Sequence, residues 1–193
     1  MTAIEIHGRD KCPYAWRARI AAAEKGIDYE WLPYDVPSPD PRAGAHNADK
    51  KSPKLVHGDF SIIESMVISQ YLNESHPGAA LEPLDAKARA QARVNQTLLA
   101  RIEGDTRPDQ PVTDEHRKKV GQGFEALEGV LADGRAFVGG ESPGLADVQI
   151  WPFLAGWQSK GVTIPESLPK ATAYWKRVQA RPSFEKTRPS IRL

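Results

Sequence analysis

A single cysteine stands in 193 residues. With no second thiol to pair with, an intramolecular disulfide is excluded, and the reducing cytoplasm is the expected setting. Long apolar runs are also missing: no stretch approaches the roughly 18 residues needed to cross a bilayer. The opening MTAIEIHGRD carries charge from position 5 onward, so neither a secretory leader nor a membrane partner is expected. Charge of one sign is lacking too. Lys and Arg number 26 against 25 Asp and Glu, a formal +1, which offers no field for nucleic acid or an anionic surface. The arginines near the end (Arg177, Arg181, Arg188, Arg192) are spread among Pro and Ser and read as a solvated tail. His7, His46, His57, His76 and His116 show no i, i+4 ligand spacing, so no metal site is predicted. A Ser-His-Asp set, a phosphate-cradling glycine loop, internal repeats and low-complexity tracts are all absent from the reading.

What is present divides the chain in two. AIEIH (3–7) alternates as a short strand. Residues 13–25 read as a helix that starts on Pro13 and stops at Gly26, with Trp16, Ile20 and Ala23 on one face. DYEWLPYDV (28–36) is a second strand, and 37–52 a loop rich in breakers and charge. KLVHGDFSII (54–63) is a hairpin about Gly58-Asp59, and residues 64–74 form a helix with Met66, Ile68, Tyr71 and Leu72 apolar. This β-α-β-β-β-α order predicts a small mixed domain over residues 1–76. SHPGAALEPLD (75–85) breaks the pattern, and residues 77–85 are assigned as a linker. From 86 to 193 every periodic segment is helical, at about 86–103, 113–133, 145–158 and 167–181, which predicts an all-α domain. The fold class is therefore α+β.

The thiol sits where a helix begins. In RDKCPYAWRARI (9–20), Cys12 occupies the N-cap position ahead of Pro13. The first amides of a helix lack intrahelical acceptors, and the peptide dipoles sum to a partial positive charge there. Both effects favour the thiolate, and Arg9 and Lys11 lie close by in sequence, so Cys12 reads as a reactive nucleophile rather than an inert core thiol. Ala15 stands where a dithiol pair would carry its second cysteine. A mixed disulfide on Cys12 would need an outside thiol to resolve it.

With these residues in view the sequence resembles the glutathione transferase superfamily, a thioredoxin-like N-terminal domain followed by a helical C-terminal domain. CPYA (12–15) is similar to the motif of its cysteine-type members: the omega class, dehydroascorbate reductases and glutathione lyases. NADKKSPKLVHGDFSIIESMVISQYLNE (47–74) resembles the glutathione-binding block. FVGGESPGLADVQIWPFL (137–154) resembles the start of the central helix of the second domain, and RPSF (181–184) also matches the family. The resemblance implies a cis bond before Pro53 and a backbone pairing of Ser52 with the cysteinyl part of glutathione. It places Glu64 and Ser65 on the γ-glutamyl group, and Lys51, or Lys50, on the glycyl carboxylate. Valine is commoner than serine at position 52 in the family. Gly144 replaces the family's Ser or Thr helix cap, while Asp147 is kept and can reach back to the Gly144 amide. Pro152 is expected to kink that helix. Trp151, Phe153, Trp157 and Trp175 read as core rather than as the lining of a second-substrate site.

The resemblance implies a glutathione-dependent thiol transferase or reductase with Cys12 as nucleophile, glutathione as co-substrate, a small-molecule or disulfide second substrate, and a homodimer. A conjugating S-transferase is the alternative, in which the resemblance implies a Ser or Tyr hydroxyl donating to glutathione's own sulfur. Tyr14 is a candidate donor two residues past the expected point. A non-catalytic binding module is the third reading, motivated by KKSPK (50–54) and the charged connector EGDTRPDQPVTDEHRKK (103–119).

Overall fold

The computed structural model describes residues 3–35, 42, 51–107 and 109–189. The chain divides into two units. One runs to Ala80 and takes in the segment beginning at Lys186; the other is Leu81–Glu185. Lys50 and most of the predicted 37–52 loop lie outside the described residues.

The first unit is a four-stranded mixed sheet in the order β2-β1-β3-β4 with two helices. Strand β1 (Ile4–Gly8) pairs in parallel with β2 (Glu30–Pro33) and antiparallel with β3 (Lys54–His57). Strand β4 (Phe60–Ile63) closes a hairpin with β3 around Gly58, whose φ of 65° is one that glycine adopts without a Cβ penalty. A crossover between the parallel strands needs a helix, and α1 (Pro13–Lys25) supplies it. It begins at Pro13, whose missing N–H costs nothing at that position. It ends at Gly26 in the left-handed region (φ 69°), where the Gly26 and Ile27 amides donate to Ala23 O and Ala22 O. Helix α2 (Ser65–Ser75) follows β4. Ile6, Ile20, Leu55, Ile68 and Leu72 are wholly buried between these elements.

Two sequence expectations fail here. Of the face drawn through Trp16, Ile20 and Ala23, Ala23 is only half-buried, whereas Arg17 and Arg19, off that face, are 2% and 6% exposed. The C-terminal arginine-rich segment is not simply a solvated tail either. Thr187 is buried, and its Oγ1 accepts a 2.9 Å hydrogen bond from the Trp16 indole.

The second unit is helical: α3 (Ala86–Leu99) with a 3-10 turn at Ala100–Ile102, α4 (Asp114–Val130), α5 (Leu145–Ser159), α6 (Pro169–Gln179) and α7 (Pro182–Lys186). Helix α7 is a short element that periodicity did not separate from the tail. The helix expected from about 113 starts at Asp114 behind a Thr113–His116 capping box, so the end of the charged 103–119 segment is helical. Helix α5 runs through Pro152 and is buried along nearly its whole length. Trp151, Phe153, Trp157 and Trp175 are core residues, with Phe184 edge-on to Trp151 and Trp175.

The start of α5 is set by one buried carboxylate. Asp147 accepts from the Val138, Gly139 and Gly144 amides at 2.8–2.9 Å and from the Tyr174 hydroxyl at 2.8 Å. Burial pushes its carboxyl up, and these four donors pull it back. Trp151 in turn donates to the Tyr174 oxygen at 2.7 Å. The absence of a serine cap now has a steric reason: a Cβ on Gly144 would lie 3.0 Å from Leu81 O and 3.2 Å from Gly139 Cα. Leu81 O instead accepts from the Leu145 amide at 2.8 Å. Asp147→Ala strands two buried amides, a part-buried one and a buried phenol. It is expected to cost at least about 3 kcal/mol and lower the melting temperature by roughly 6–12 °C, with Tyr174→Phe costing less; differential scanning calorimetry of both variants checks the order.

Candidate active site

At the C-terminal end of β1 the chain turns through residues 8–12 into α1. Cys12 is the N-cap of that helix, in extended backbone (φ −73°, ψ 119°), and is 8% exposed. Its sulfur makes no bond to the helix amides, contrary to the sequence expectation. The thiol instead donates to Ser52 O at 3.7 Å. Two facts account for this. Pro13 offers no N–H at the first helical position, and the Ser52 carbonyl from the strand-opening corner lies alongside the thiol, giving its proton an acceptor. Arg9 and Lys11 are exposed on either side of the buried Asp10.

Ser52 and Pro53 form that corner, joined by a cis peptide bond as the resemblance implies. Ser52 touches the thiol turn twice: its carbonyl takes the Cys12 thiol, and its Oγ accepts from the Arg9 amide at 2.9 Å. The Cys12 amide closes the turn onto Arg9 O at 3.1 Å. Lys51 is exposed, and its carbonyl accepts from the Tyr34 hydroxyl at 3.3 Å.

A second helix start supplies Glu64 and Ser65. Glu64 is the one non-glycine with a positive φ (70°) among the described residues, a conformation that costs of order 1–3 kcal/mol and collects at ligand sites. It is exposed and, though it occupies the N-cap position of α2, its side chain makes no cap bond. Ser65 is buried, and its Oγ accepts from Arg17 Nη1 at 3.0 Å. The Ser65 proton stays available to donate. Arg17, one turn beyond Cys12, thereby links the starts of α1 and α2, with the Tyr14 ring 5.3 Å from its guanidinium.

Sequence reasoning named Cys12, Lys51, Ser52, Pro53, Glu64 and Ser65; the structure joins Cys12 to Ser52–Pro53 directly and to Ser65 through Arg17. It missed three supports. Arg17 is one. Another is the buried Asp10–Arg19 pair at 3.8 Å, with Arg19 stacked 4.5 Å over Trp31. The third is Gly8, where a Cβ would meet Ala15 Cβ at 2.9 Å, Ser52 Oγ at 3.0 Å and Trp31 at 3.1 Å. The available signal was two arginines in a helix otherwise rich in alanine. Among the described residues no group of three or more His, Cys, Asp or Glu could hold a metal, and no helix is long and apolar enough to cross a membrane.

Comparison with known proteins matches residues 6–80 to the glutathione S-transferase N-terminal domain and residues 80–182 to the glutathione S-transferase C-terminal domain. Glutathione S-transferase 3 of Glycine max is 30% identical over 190 residues, covering 93% of this chain and 86% of its own. Glutathione S-transferase U28 of Arabidopsis thaliana is 28% identical, covering 92% and 84%. The rice transferase solved in complex with glutathione superposes with a TM-score of 0.79 at 28% identity, covering 98% of this chain and 91% of that one. The Tau class transferase of mango gives 0.71 at 28%, covering 97% and 93%. These likenesses support the superfamily; they do not single out the cysteine-type classes that CPYA resembles.

Gly8→Ala pushes a methyl into Ala15, Ser52 and Trp31, so the turn must move. Overpacking of this kind costs typically 1–3 kcal/mol. The variant is expected to melt lower than the parent and to alkylate at Cys12 at a changed rate, read by denaturation and by intact mass after timed iodoacetamide.

Proposed function

Since this chain belongs to the glutathione S-transferase family, with both of its domains represented, we propose that it is a glutathione-dependent transferase whose sulfur chemistry runs at Cys12. The observation that carries the reading is the 3.7 Å contact of the sole thiol with Ser52 O, beside Pro53. An extended tripeptide added along Ser52 as a further strand brings its own cysteine close to Cys12. The other groups suit the rest of the tripeptide. The exposed Glu64 carboxylate accepts from the γ-glutamyl ammonium. The Ser65 hydroxyl, its oxygen held by Arg17, donates to the α-carboxylate. Lys51 takes the glycyl carboxylate.

Thiol transfer then proceeds in two balanced steps. The Cys12 thiolate attacks the glutathionyl sulfur of a mixed disulfide, forming Cys12–S–SG and releasing the substrate thiolate. A glutathione thiolate attacks that intermediate, returns the Cys12 thiolate and leaves as glutathione disulfide. With no second cysteine in the chain, the resolving thiol comes from solution.

Conjugation is the second reading, and two observations favour it. The relatives bear the name S-transferase, which supports conjugation more directly than thiol transfer. In addition, the Cys12 thiol is a hydrogen-bond donor, the role needed to hold glutathione's thiolate for attack on an electrophile. A homodimer is carried over from the resemblance, and a cytoplasmic setting from the single cysteine.

Incubation with glutathione disulfide is expected to add one glutathionyl unit, removable by reductant and absent in Cys12→Ala, as read by intact mass. Cys12→Ser separates the readings. Loss of disulfide reduction by a hundredfold or more accompanies thiol transfer, whereas conjugation of an aryl halide that survives in the serine variant identifies an S-transferase.

A further inference from the structure

We propose that the Ser52 side chain is a positioning residue for Cys12, a role separate from the backbone pairing assigned to that position. The proposal rests on the reading that Cys12 is the reacting sulfur. Ser52 lies 40 residues from Cys12 in sequence and holds it from two directions. Its hydroxyl accepts from the Arg9 amide at 2.9 Å, three residues before the thiol, and the Cys12 amide closes back on Arg9 O at 3.1 Å. Its carbonyl accepts the thiol itself. The space around the hydroxyl is fitted to it: a Cβ on Gly8 would already stand 3.0 Å from Ser52 Oγ.

Only an oxygen at this position completes the tie. The Arg9 amide belongs to a turn, so no neighbouring strand supplies it with a ladder acceptor. Valine, the commoner residue in the family pattern, places a methyl there and removes the tie to the Arg9 amide, leaving the turn its Arg9–Cys12 closure, the 2.7 Å bond of the Asp10 amide to Asp35 Oδ1 and the thiol's own bond to the residue 52 carbonyl. Ser52 thus joins the segment that would carry the tripeptide to the turn that carries the thiol. Misplacement of a reacting atom by about 1 Å can cost on the order of a hundredfold in rate. The side chain is therefore expected to act on turnover, while the unchanged backbone preserves binding.

The test compares Ser52→Ala, Ser52→Thr and Ser52→Val with the unsubstituted protein. Threonine and valine share a branched shape and differ in the hydroxyl. Cys12 is alkylated with iodoacetamide in the absence of glutathione and the rate followed by intact mass; glutathione binding is measured by calorimetry, and kcat and KM with a glutathionylated disulfide substrate. Alanine and valine are expected to speed alkylation at least threefold over serine and threonine. They should lower kcat about tenfold and leave the glutathione Kd and KM within twofold. Alkylation in the alanine and valine variants that is slower than, or within twofold of, that of the threonine variant overturns the proposal, as does a fall in glutathione binding matching the fall in kcat. Absence of any glutathionyl adduct or turnover in the unsubstituted protein defeats the Cys12 reading instead, and the alkylation comparison still judges the role of Ser52.

Discussion

Three pieces of chain converge at Gly8, where no side chain has room. Around this end of β1, the first turn of α1, the Ser52 corner and β2 approach so closely that Ala15, Ser52 and Trp31 all fall within about 3 Å of a hypothetical Cβ. That closeness brings the Ser52 hydroxyl to the Arg9 amide and its carbonyl to the thiol. It also lets the Gly8 carbonyl accept from the Tyr34 amide at 3.1 Å, so β2 is fastened to the same point. Each such hydrogen bond contributes only about 1 kcal/mol net. The site is held by their number and by steric exclusion, not by one strong contact.

Charge supports the same turn from beneath. Buried guanidinium groups are costly unless they are matched, and α1 carries two. Arg19 lies against the Asp10 carboxylate and over the Trp31 face, and Arg17 donates to Ser65. Each ties α1 to a different neighbour: Arg19 to the turn before Cys12 and to β2, Arg17 to α2. The second unit reaches a similar result with a carboxylate. Asp147 gathers three amides and a phenol, and the tight glycine pair 139 and 144 lets those amides approach.

The legible parts of the fold were those with local punctuation. Pro13 and Gly26 mark both ends of α1, Gly58-Asp59 marks the β3–β4 hairpin, and the α3, α4, α5 and α6 patterns run long enough to be read. Helix α7, five residues long, has no period to detect. The two buried arginines mislead for a physical reason: pattern rules place charge outside, and only tertiary partners reverse that. The candidate site was named from the sequence as Cys12, Lys51, Ser52, Pro53, Glu64 and Ser65, of which all but Lys51 stand at element starts or at the corner before β3. Its geometry was not legible there. The N-cap argument considers only the helix that follows the thiol, whereas the acceptor of its proton arrives from the corner before β3, 40 residues later.

The Trp16–Thr187 hydrogen bond spans 171 positions and lies within a unit otherwise built from the first 80 residues. A ribosome adds roughly 5–20 residues per second. Once Trp16 has been made, its indole therefore waits on the order of 10–30 s for the threonine that completes its surroundings. The sheet of this unit is therefore made well before the last of its packing partners, and the unit reaches its finished form only after the helical unit has been translated in between.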